Sequence, residues 1–540
     1  MPKPHFNFRS RLVACSFLTL FSLTTICAGA RNEEYPGESA KWRSYQSPHF
    51  EMFSANRDGD SRELLHNLEL LRALFFDTFK LKERQPQNVT VYYFKDEDAF
   101  KAYVYAGQRQ TVAGYYLHQP DRAVIAISPS WDEESERYVV FHEFIHHLNR
   151  VVGSEPPVWY NEGLAELFST MEVEDKKVIL GKPLPWHVTS FQNKELLPLE
   201  TLFAIDLESP FYNNGKHSGQ FYAESWALLH YMRYGNFPLD KAKFDLFLRY
   251  LMSEVPGADP SSRRTVFKDL MGIDYPELER LLERYVSSGR FHLHEAPLPQ
   301  IPEPESYTQK IISREEISER LAELSLRVNH SSKARLTLLQ AVEKSPDNYR
   351  CWETLGSESW SSGDLDLAQE RWQSAVDAGS RNPAVFHELG QFESRKWFDR
   401  FDYYFRLPEP RAQQLRNLLK RSMECAPDQF AAYEMLAWVE ASVVKPNVAN
   451  INLVQQHFAT LRQKARTVLA LALVRVRLED HAAALKLLDQ LEQMHPDYWV
   501  ACAAEIVRAK LEDRPPRTIT PPVVQAKSQK IRMQMPELPK

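Results

Sequence analysis

The sequence contains little cysteine and no excess of basic residues. Of its five cysteines, Cys15 and Cys27 lie near the N-terminus, and Cys351, Cys425 and Cys502 are far apart. This spacing excludes a disulfide framework and a cysteine-based metal site. The net charge of −6, with Lys and Arg distributed along the chain, offers no basic surface for nucleic acid. A hydrophobic content of 43% over 540 residues indicates a globular protein of two or three domains.

The N-terminal segment has the composition of a targeting signal. The basic stretch MPKPHFNFRSR precedes the apolar run LVACSFLTLFSLTTIC, and Ala28-Gly29-Ala30 matches a small-x-small cleavage site. We therefore predict a cleaved signal peptide over residues 1–30 and an exported protein, periplasmic or secreted in a bacterium. The alternative is an uncleaved N-terminal membrane anchor. The cleavage site, and an apolar run that is barely long enough to cross a bilayer, favour the signal peptide.

The remaining chain divides into two parts that differ in their predicted secondary structure. Residues 31–295 mix predicted strands and helices, and residues 307–513 are helical throughout. Between them, residues 296–306 carry four prolines and are typical of an interdomain linker. Residues 514–540 are rich in proline without periodicity, which predicts a disordered tail.

The second part repeats itself at an interval of 34 residues. Ala334 begins a pattern that returns at Ala368, the pair Leu355-Gly356 returns as Leu389-Gly390, and a later unit begins at Ala484. This pattern resembles the tetratricopeptide repeat, in which small residues let paired helices approach closely. The resemblance implies an all-α superhelical domain whose concave surface binds a protein partner.

The stretch VVFHEFIHHLNR, residues 139–150, places three histidines and a glutamate among apolar residues. His142 and His146 are four residues apart, so on a helix both imidazoles lie on one face and can reach a single metal ion. Glu143 lies beside that face, where its carboxylate can accept a proton from a metal-bound water. This is the H-E-x-x-H arrangement of zinc peptidases. His147 points about 100° away from His146 and is not predicted to bind the metal.

A second predicted helix can supply a third ligand. Pro156-Pro157 interrupts the chain, which can then turn back, and WYNEGLAELF carries Glu162 and Glu166 four residues apart on one face. A catalytic zinc keeps three protein ligands and one open position for water. One glutamate can therefore complete a His-His-Glu set, while the other hydrogen-bonds a ligand histidine and fixes its orientation.

HEFIH followed by WYNEGLAELF resembles the gluzincin metallopeptidases, especially exported bacterial peptidase-MA-like proteins that carry helical repeats. The resemblance implies an α+β zincin-like catalytic domain with a mostly helical second part over residues 31–295. It also implies that Glu162, which follows an asparagine, binds Zn²⁺ and that Glu166 supports a ligand histidine. The fifteen residues between His146 and Glu162 are fewer than in the best-known members. Because the spacing to Glu166 fits those members better, Glu166 remains the alternative ligand.

The resemblance further implies hydrolysis of peptide bonds by a zinc-activated water, with Glu143 as the general base. A donor that stabilises the oxyanion is expected from a later helix, where Tyr222, His217 and His230 are the candidates. We select Tyr222, since a phenol can donate a hydrogen bond; the alternative is that Tyr222 and His230 are core residues. The run AVIAIS, residues 123–128, is either an exposed strand edge that pairs with an extended peptide or an ordinary buried strand.

These features predict an exported zinc-dependent metallopeptidase that acts on a peptide or protein substrate. The G-A-M-E-N motif of the aminopeptidases in this clan does not occur, which favours an endopeptidase. The competing hypothesis is an envelope scaffold or adaptor that acts through its repeats and carries a non-catalytic metal domain. Glu143 argues against it, because a purely structural site does not need that carboxylate. A third hypothesis, a cytosolic and metal-independent helical protein, requires dismissing both the signal and the zinc motif.

Overall fold

The computed structural model describes most of the chain between residues 34 and 518. Within that span the described residues exclude 82–86, 105–113, 130–132, 153–155, 194, 214, 236–240, 254–259, 399–401, 428, 462–463 and 495–497. The predicted signal peptide and the predicted tail from residue 519 onward lie outside the described residues. Within the described part, no helix combines the length and the apolar composition needed to cross a membrane.

The described chain is mostly helical and carries two sheets in its first part. The strands are β1 (Arg43–Gln46), β2 (Phe50–Ser54), β3 (Asn88–Tyr93), β4 (Gly114–His118), β5 (Arg122–Ile127), β6 (Glu172–Glu174), β7 (Lys177–Leu180), β8 (His294–Pro297) and β9 (Thr308–Ile311). The helices of the first part are α1 (Asp58–Phe79), α2 (Glu97–Lys101), α3 (Glu133–Val151), α4 (Val158–Ser169), α5 (Pro185–Asn193), α6 (Leu199–Ala204), α7 (Pro210–Asn213), α8 (Gly215–Tyr234), α9 (Lys241–Ser253), α10 (Pro260–Met271) and α11 (Tyr275–Ser288).

The second part consists of helices that pack on their neighbours along the chain. They are α12 (Arg314–Asn329), α13 (Ser332–Lys344), α14 (Tyr349–Ser361), α15 (Leu365–Asp377), α16 (Pro383–Phe398), α17 (Glu409–Cys425), α18 (Phe430–Ser442), α19 (Val448–His457), α20 (Lys464–Arg477), α21 (His481–Gln493) and α22 (Tyr498–Leu511). An α+β first part followed by a helical second part is therefore the architecture of the described chain.

The larger sheet is mixed, with strand order β4-β5-β3-β2-β1-β9. Strands β2, β3 and β5 run parallel, whereas β4 pairs antiparallel with β5, and β1 pairs antiparallel with both β2 and β9. The sequence Gln119-Pro120-Asp121 is typical of a turn, and it joins the antiparallel strands β4 and β5. Ser135 is a typical N-cap residue for the helix that carries His142, but α3 begins at Glu133, so Ser135 lies inside the helix.

Both faces of this sheet are buried, which explains the continuous apolar runs of its central strands. Alternate residues of β3 face opposite sides, because successive side chains of a strand alternate. Val89 and Val91 join the core formed with α1, α3, α4 and α8. Tyr92 joins a second core that contains residues of α12, α13 and α14. The helical second part therefore packs directly on the sheet.

Buried charges fix this contact between the two parts. Asp121, at the start of β5, accepts two hydrogen bonds from Arg327 of α12, at 2.8 and 2.7 Å. Its neighbour Arg122 donates to Glu353 of α14 at 2.5 Å. All four side chains are at least 95% buried. A shift of one part along the other would leave these charges buried without their partners, which is costly, so the pairs favour a single register of the contact.

The segment predicted as a linker, residues 296–306, is largely bound to the first part. Ala296 and Pro297 lie in β8, which pairs with β7, and Arg62 of α1 donates to the carbonyl of Pro304 at 2.7 Å. Strand β9, immediately after this segment, adds to the edge of the larger sheet beside β1. The prolines favour an extended conformation. Because β8 pairs with β7 and β9 pairs with β1, this segment is held against the first part at both of its ends.

Candidate metal centre

Helices α3 and α4 position the candidate ligands, and their packing follows from the sequence. Phe144 and Ile145 face the core and are almost fully buried, which turns the adjacent polar face of α3 towards α4. Helix α4 is buried along nearly all of its length between α3 and α8. Gly163 permits this approach, since a Cβ at that position would lie 2.4 Å from the carbonyl oxygen of Ser225 on α8.

Three side-chain atoms converge between these helices. The Nε2 atoms of His142 and His146 are 3.3 Å apart, and Oε2 of Glu162 lies 3.3 Å from the first and 3.4 Å from the second. Ligands about 2.0–2.1 Å from one tetrahedrally coordinated zinc are separated by about 3.3 Å. His142, His146 and Glu162 therefore have the arrangement of three ligands around a single ion.

The chemistry of this donor set also fits a metal ion. Oε2 of Glu162 is buried and has no hydrogen-bond partner among the described residues, which is costly for a carboxylate oxygen. Two imidazoles and one carboxylate form the ligand set of hydrolytic zinc sites. Sequence reasoning left Glu166 as an alternative third ligand, but Glu162 is the glutamate that faces both Nε2 atoms.

Glu166 instead lies behind His142. Its Oε1 is 3.3 Å from Nδ1 of His142, on the opposite side of the ring from the Nε2 cluster. The same carboxylate accepts a hydrogen bond from the Tyr138 hydroxyl and is 3.0 Å from Nε2 of His187. Since Nδ1 of His187 faces the backbone N–H of Leu184 at 3.4 Å, Nε2 carries the hydrogen and donates it to Glu166. This arrangement fixes the orientation of His142.

The charges of the cluster hold a proton in the metal-free protein. Burial disfavours a charged imidazole, but Glu162 and Glu166 outweigh burial and raise the pKa of His142 well above its usual value. Burial likewise would raise the pKa of Glu162, yet His146 and His142 lower that pKa to about 2. Both carboxylates are therefore ionised at neutral pH, and a metal cation would replace the proton on His142.

Two phenols line the same site. Tyr222 of α8 has its ring 6.1 Å from that of His142, and Tyr212 of α7 donates a hydrogen bond to Oε1 of Glu162 at 3.2 Å. Burial, and next the charge of Glu162, raise the pKa of both hydroxyls, so both stay protonated donors at neutral pH. The charge of Glu143, the residue after His142, also raises the pKa of both phenols.

The remaining histidine candidates have other roles or lie outside the described side chains. His230 is fully buried; its Nε2 donates to the carbonyl of Gly181 at 2.9 Å and its Nδ1 accepts from the Tyr285 hydroxyl at 2.7 Å. With both nitrogens engaged, His230 is a core residue, the alternative that the sequence left open. The side chain of His217 is not among those described. His147 contacts Tyr116 and stacks on a phenylalanine, away from the cluster.

The strand predicted at residues 123–128 is the buried alternative. This strand is β5, which pairs with β3 on one side and with β4 on the other and so has no free edge. The edge next to α3, the helix of His142 and His146, belongs to β4. Gly114 of β4 lies against Val139 and Val140, and Tyr116 reaches His147 at 3.0 Å, so β4 runs alongside α3.

No family model matches the chain, and no curated protein matches it. The site is therefore interpreted from its own residues. Sequence reasoning missed Tyr138, Tyr212 and His187. Tyr138 could have been found, because it lies four residues before His142 on the same helical face. Tyr212 and His187 come from separate helices, and no local pattern links either residue to the motif.

Proposed function

We propose that the chain is an exported zinc-dependent metallopeptidase, with a zincin-like first part and tetratricopeptide-like repeats in the second. The observation that carries this proposal is the triangle of His142 Nε2, His146 Nε2 and Glu162 Oε2, with sides of 3.3–3.4 Å. These three residues would hold the ion. Zinc bound there supplies a water of lowered pKa and polarises the carbonyl of a peptide bond.

The other residues of the site have roles that follow from their positions. Glu143 sits one residue after a ligand and makes no ion pair or hydrogen bond with a described side chain, so its carboxylate is available as the general base. It takes the proton of the attacking water and delivers it to the leaving amine. Tyr222, a protonated phenol beside His142, donates to the oxyanion. Tyr212 is already committed to Glu162 and orients that ligand.

We assign substrate binding to the outer edge of β4. An extended peptide can add to the edge of a sheet through backbone hydrogen bonds, and among the described strands β4 is the edge strand beside α3. A peptide held by its backbone in this way can extend past the site in both directions, which agrees with endopeptidase action. The absence of a dedicated amine-binding motif in the sequence points the same way.

The repeat assignment is supported by the packing of the recurring residues. Leu355 and Leu389, which are 34 residues apart, are both buried. A Cβ on Gly356 would lie 2.3 Å from the ring of Trp372, and one on Gly390 would lie 3.2 Å from the sulfur of Met435. Small residues at equivalent positions thus permit close helix approach, as tetratricopeptide repeats require. We propose that the surface of these helices away from the sheet binds a substrate or a protein partner.

Zinc content and peptide cleavage test the proposal together. We expect about one zinc per wild-type chain, loss of zinc in His142→Ala, and retention of zinc without cleavage in Glu143→Gln. His481→Ala is the matched control, because His481 is exposed at the start of α21. A wild-type protein that takes up no zinc would refute the metal site. Zinc binding without cleavage of any member of a peptide library would favour the scaffold hypothesis.

A further inference from the structure

Two arginines share one backbone oxygen in the helical second part. Arg406 lies in the segment between α16 and α17, and Arg477 is the last residue of α20. Nη1 of Arg406 donates to the carbonyl of Tyr403 at 3.0 Å, and Nη2 of Arg477 donates to the same carbonyl at 2.8 Å. Nη1 of Arg406 also donates to the carbonyl of Phe405 at 2.7 Å. The two guanidinium groups are therefore close neighbours.

This pair of like charges has no counterion among the described residues. Neither Arg406 nor Arg477 forms an ion pair with a described carboxylate, and the bonds of both go to backbone carbonyls. Asp402 lies in the same segment, but its carboxylate accepts a hydrogen bond from the backbone N–H of Tyr404 at 2.8 Å. Burial, and next the charge of Arg406, lower the pKa of Arg477 to about 10, so Arg477 stays charged at neutral pH. The fold thus holds two cations together at an electrostatic cost, which a bound anion would relieve.

Both guanidinium groups keep donors for such an anion. Only Nη1 of Arg406 bonds to a described residue, which leaves its Nε and Nη2. Nε of Arg477 is buried without a hydrogen-bond partner among the described residues, a cost that an acceptor from a ligand would remove. A guanidinium carries five N–H groups in a planar fork that matches the two oxygens of a carboxylate.

An aromatic pair and a third cation border the two arginines. The rings of Tyr403 and Tyr404 are perpendicular, with centres 5.2 Å apart, and the guanidinium carbon of Arg477 lies 5.4 Å from the centre of the Tyr403 ring. Nζ of Lys510, an exposed residue of α22, lies 5.2 Å from the centre of the Tyr404 ring. Tyr404 itself is 66% exposed. We call Tyr403, Tyr404, Arg406, Arg477 and Lys510 the basic patch.

We propose that the basic patch binds an acidic segment of the protein that the repeats recognise. A carboxylate of this segment bridges Arg406 and Arg477, because arginine clusters bind acidic motifs through charge-assisted hydrogen bonds. An apolar side chain beside the carboxylate packs on the exposed ring of Tyr404. Because it names a ligand for the repeat surface, this role rests on the function proposed above, but the binding itself needs no metal.

The location and the charge of the basic patch favour a protein ligand. Helices α12–α14 pack on the sheet, whereas the patch lies on α20, on α22 and on the segment before α17. Three cations are too few to follow a nucleic-acid backbone, and the whole chain carries a net charge of −6. A purely apolar segment is disfavoured, because it would desolvate the arginines without pairing them.

Binding of labelled peptides tests the basic patch. Two peptides of equal length are compared by fluorescence anisotropy at constant ionic strength. One carries Asp and Glu on both sides of a central Phe, and the other replaces each acid by Asn or Gln. The protein is the full chain from residue 31 onward, treated with a chelator, so that the result does not depend on zinc. We expect saturable binding of the acidic peptide and binding of the neutral peptide that is about tenfold weaker or less.

Variants then locate the binding. Arg406→Gln should weaken binding of the acidic peptide about tenfold, the loss expected for one charge-assisted hydrogen bond. Arg381→Gln is the matched control, because Arg381 is exposed and lies beside the first part. Since Arg406 also holds two carbonyls, Lys510→Gln is a milder variant that removes a contact with a ring; it should weaken binding about threefold. Lys344→Gln, an exposed lysine of α13, is its control.

The outcomes separate the basic patch from the metal centre. Equal binding of the two peptides would refute the patch, and so would wild-type affinity in both Arg406→Gln and Lys510→Gln. If Arg406→Gln unfolds at a lower urea concentration than the wild type, Lys510→Gln alone decides. Inorganic phosphate that binds in place of the acidic peptide would overturn the protein ligand in favour of a small anion. A chain that takes up no zinc and still binds the acidic peptide would keep the patch and refute only the metallopeptidase.

Discussion

Replacing Gly163 by alanine should destabilise the protein and disturb the metal centre at once. The new Cβ would lie 2.4 Å from the carbonyl oxygen and 2.8 Å from the carbonyl carbon of Ser225. Both atoms belong to the backbone of α8 and cannot rotate away, so α4 and α8 must separate. Overpacking of this kind costs about 1–3 kcal/mol, and a rigid backbone neighbour points to the upper end. The greater helix propensity of alanine offsets about 1 kcal/mol.

We therefore expect Gly163→Ala to lower the free energy of unfolding by about 2 kcal/mol. Because Gly163 follows Glu162 directly, the shift of α4 should also weaken zinc binding. Urea unfolding followed by tryptophan fluorescence measures the first effect, and competition with a chelator measures the second. Gly219→Ala on α8 is the control, since a Cβ there meets no atom within 4 Å. It should stabilise the protein by about 0.5–1 kcal/mol. If Gly163→Ala unfolds at the wild-type urea concentration, the close approach of the two helices is refuted.

Three further predictions concern the charges. Asp121→Asn should lower the free energy of unfolding by about 3–5 kcal/mol, because it leaves a buried guanidinium without its anion; Asp347→Asn, an exposed control, should not. Burial would raise the pKa of Asp121, but Arg327 holds it well below its usual value. The stabilisation by this carboxylate should therefore be complete above about pH 4 and decrease as the pH drops further. Urea midpoints measured across that range should show this decrease for the wild type but not for Asp121→Asn. Zinc binding at pH 7 should release the proton held by His142, which titration calorimetry in two buffers of different ionisation enthalpy detects; equal heats would contradict it. His187→Gln should weaken zinc binding about 10–100-fold while the fold is kept, and an unchanged affinity would remove its positioning role.

The sequence predicts the parts of the site that share a local pattern. The four-residue spacing of His142 and His146 places both on one helical face, and the same spacing in α4 presents Glu162 and Glu166 together. The choice between the two glutamates depends on how α4 turns towards α3. That turn is set by the contact of Gly163 with α8, which involves residues far away in sequence. Local spacing alone could not decide it.

Strand pairing shows the same limit. The Val- and Tyr-rich run NVTVYYF, residues 88–94, and the run AVIAIS, residues 123–128, indicate strands, and β3 and β5 lie there. It does not indicate which strand forms the edge, because pairing partners are chosen by long-range packing. The segment 296–306 was predicted as a linker from its prolines. A high proline content indicates an extended segment, but it does not indicate whether that segment packs against other strands and helices.

The position of α12–α14 on the sheet has a consequence for biosynthesis. A ribosome delivers β2, β3 and β5 early, whereas β9 and the helices that cover Phe53, Tyr92 and Val124 emerge much later. Until then the nascent chain has an exposed apolar sheet face and an incomplete sheet edge, the features that chaperones bind and that promote aggregation. A fragment that ends before β9 would keep this surface permanently. The shortest fragment that folds without aggregating should therefore extend through α14, well beyond the last residue of the candidate metal centre.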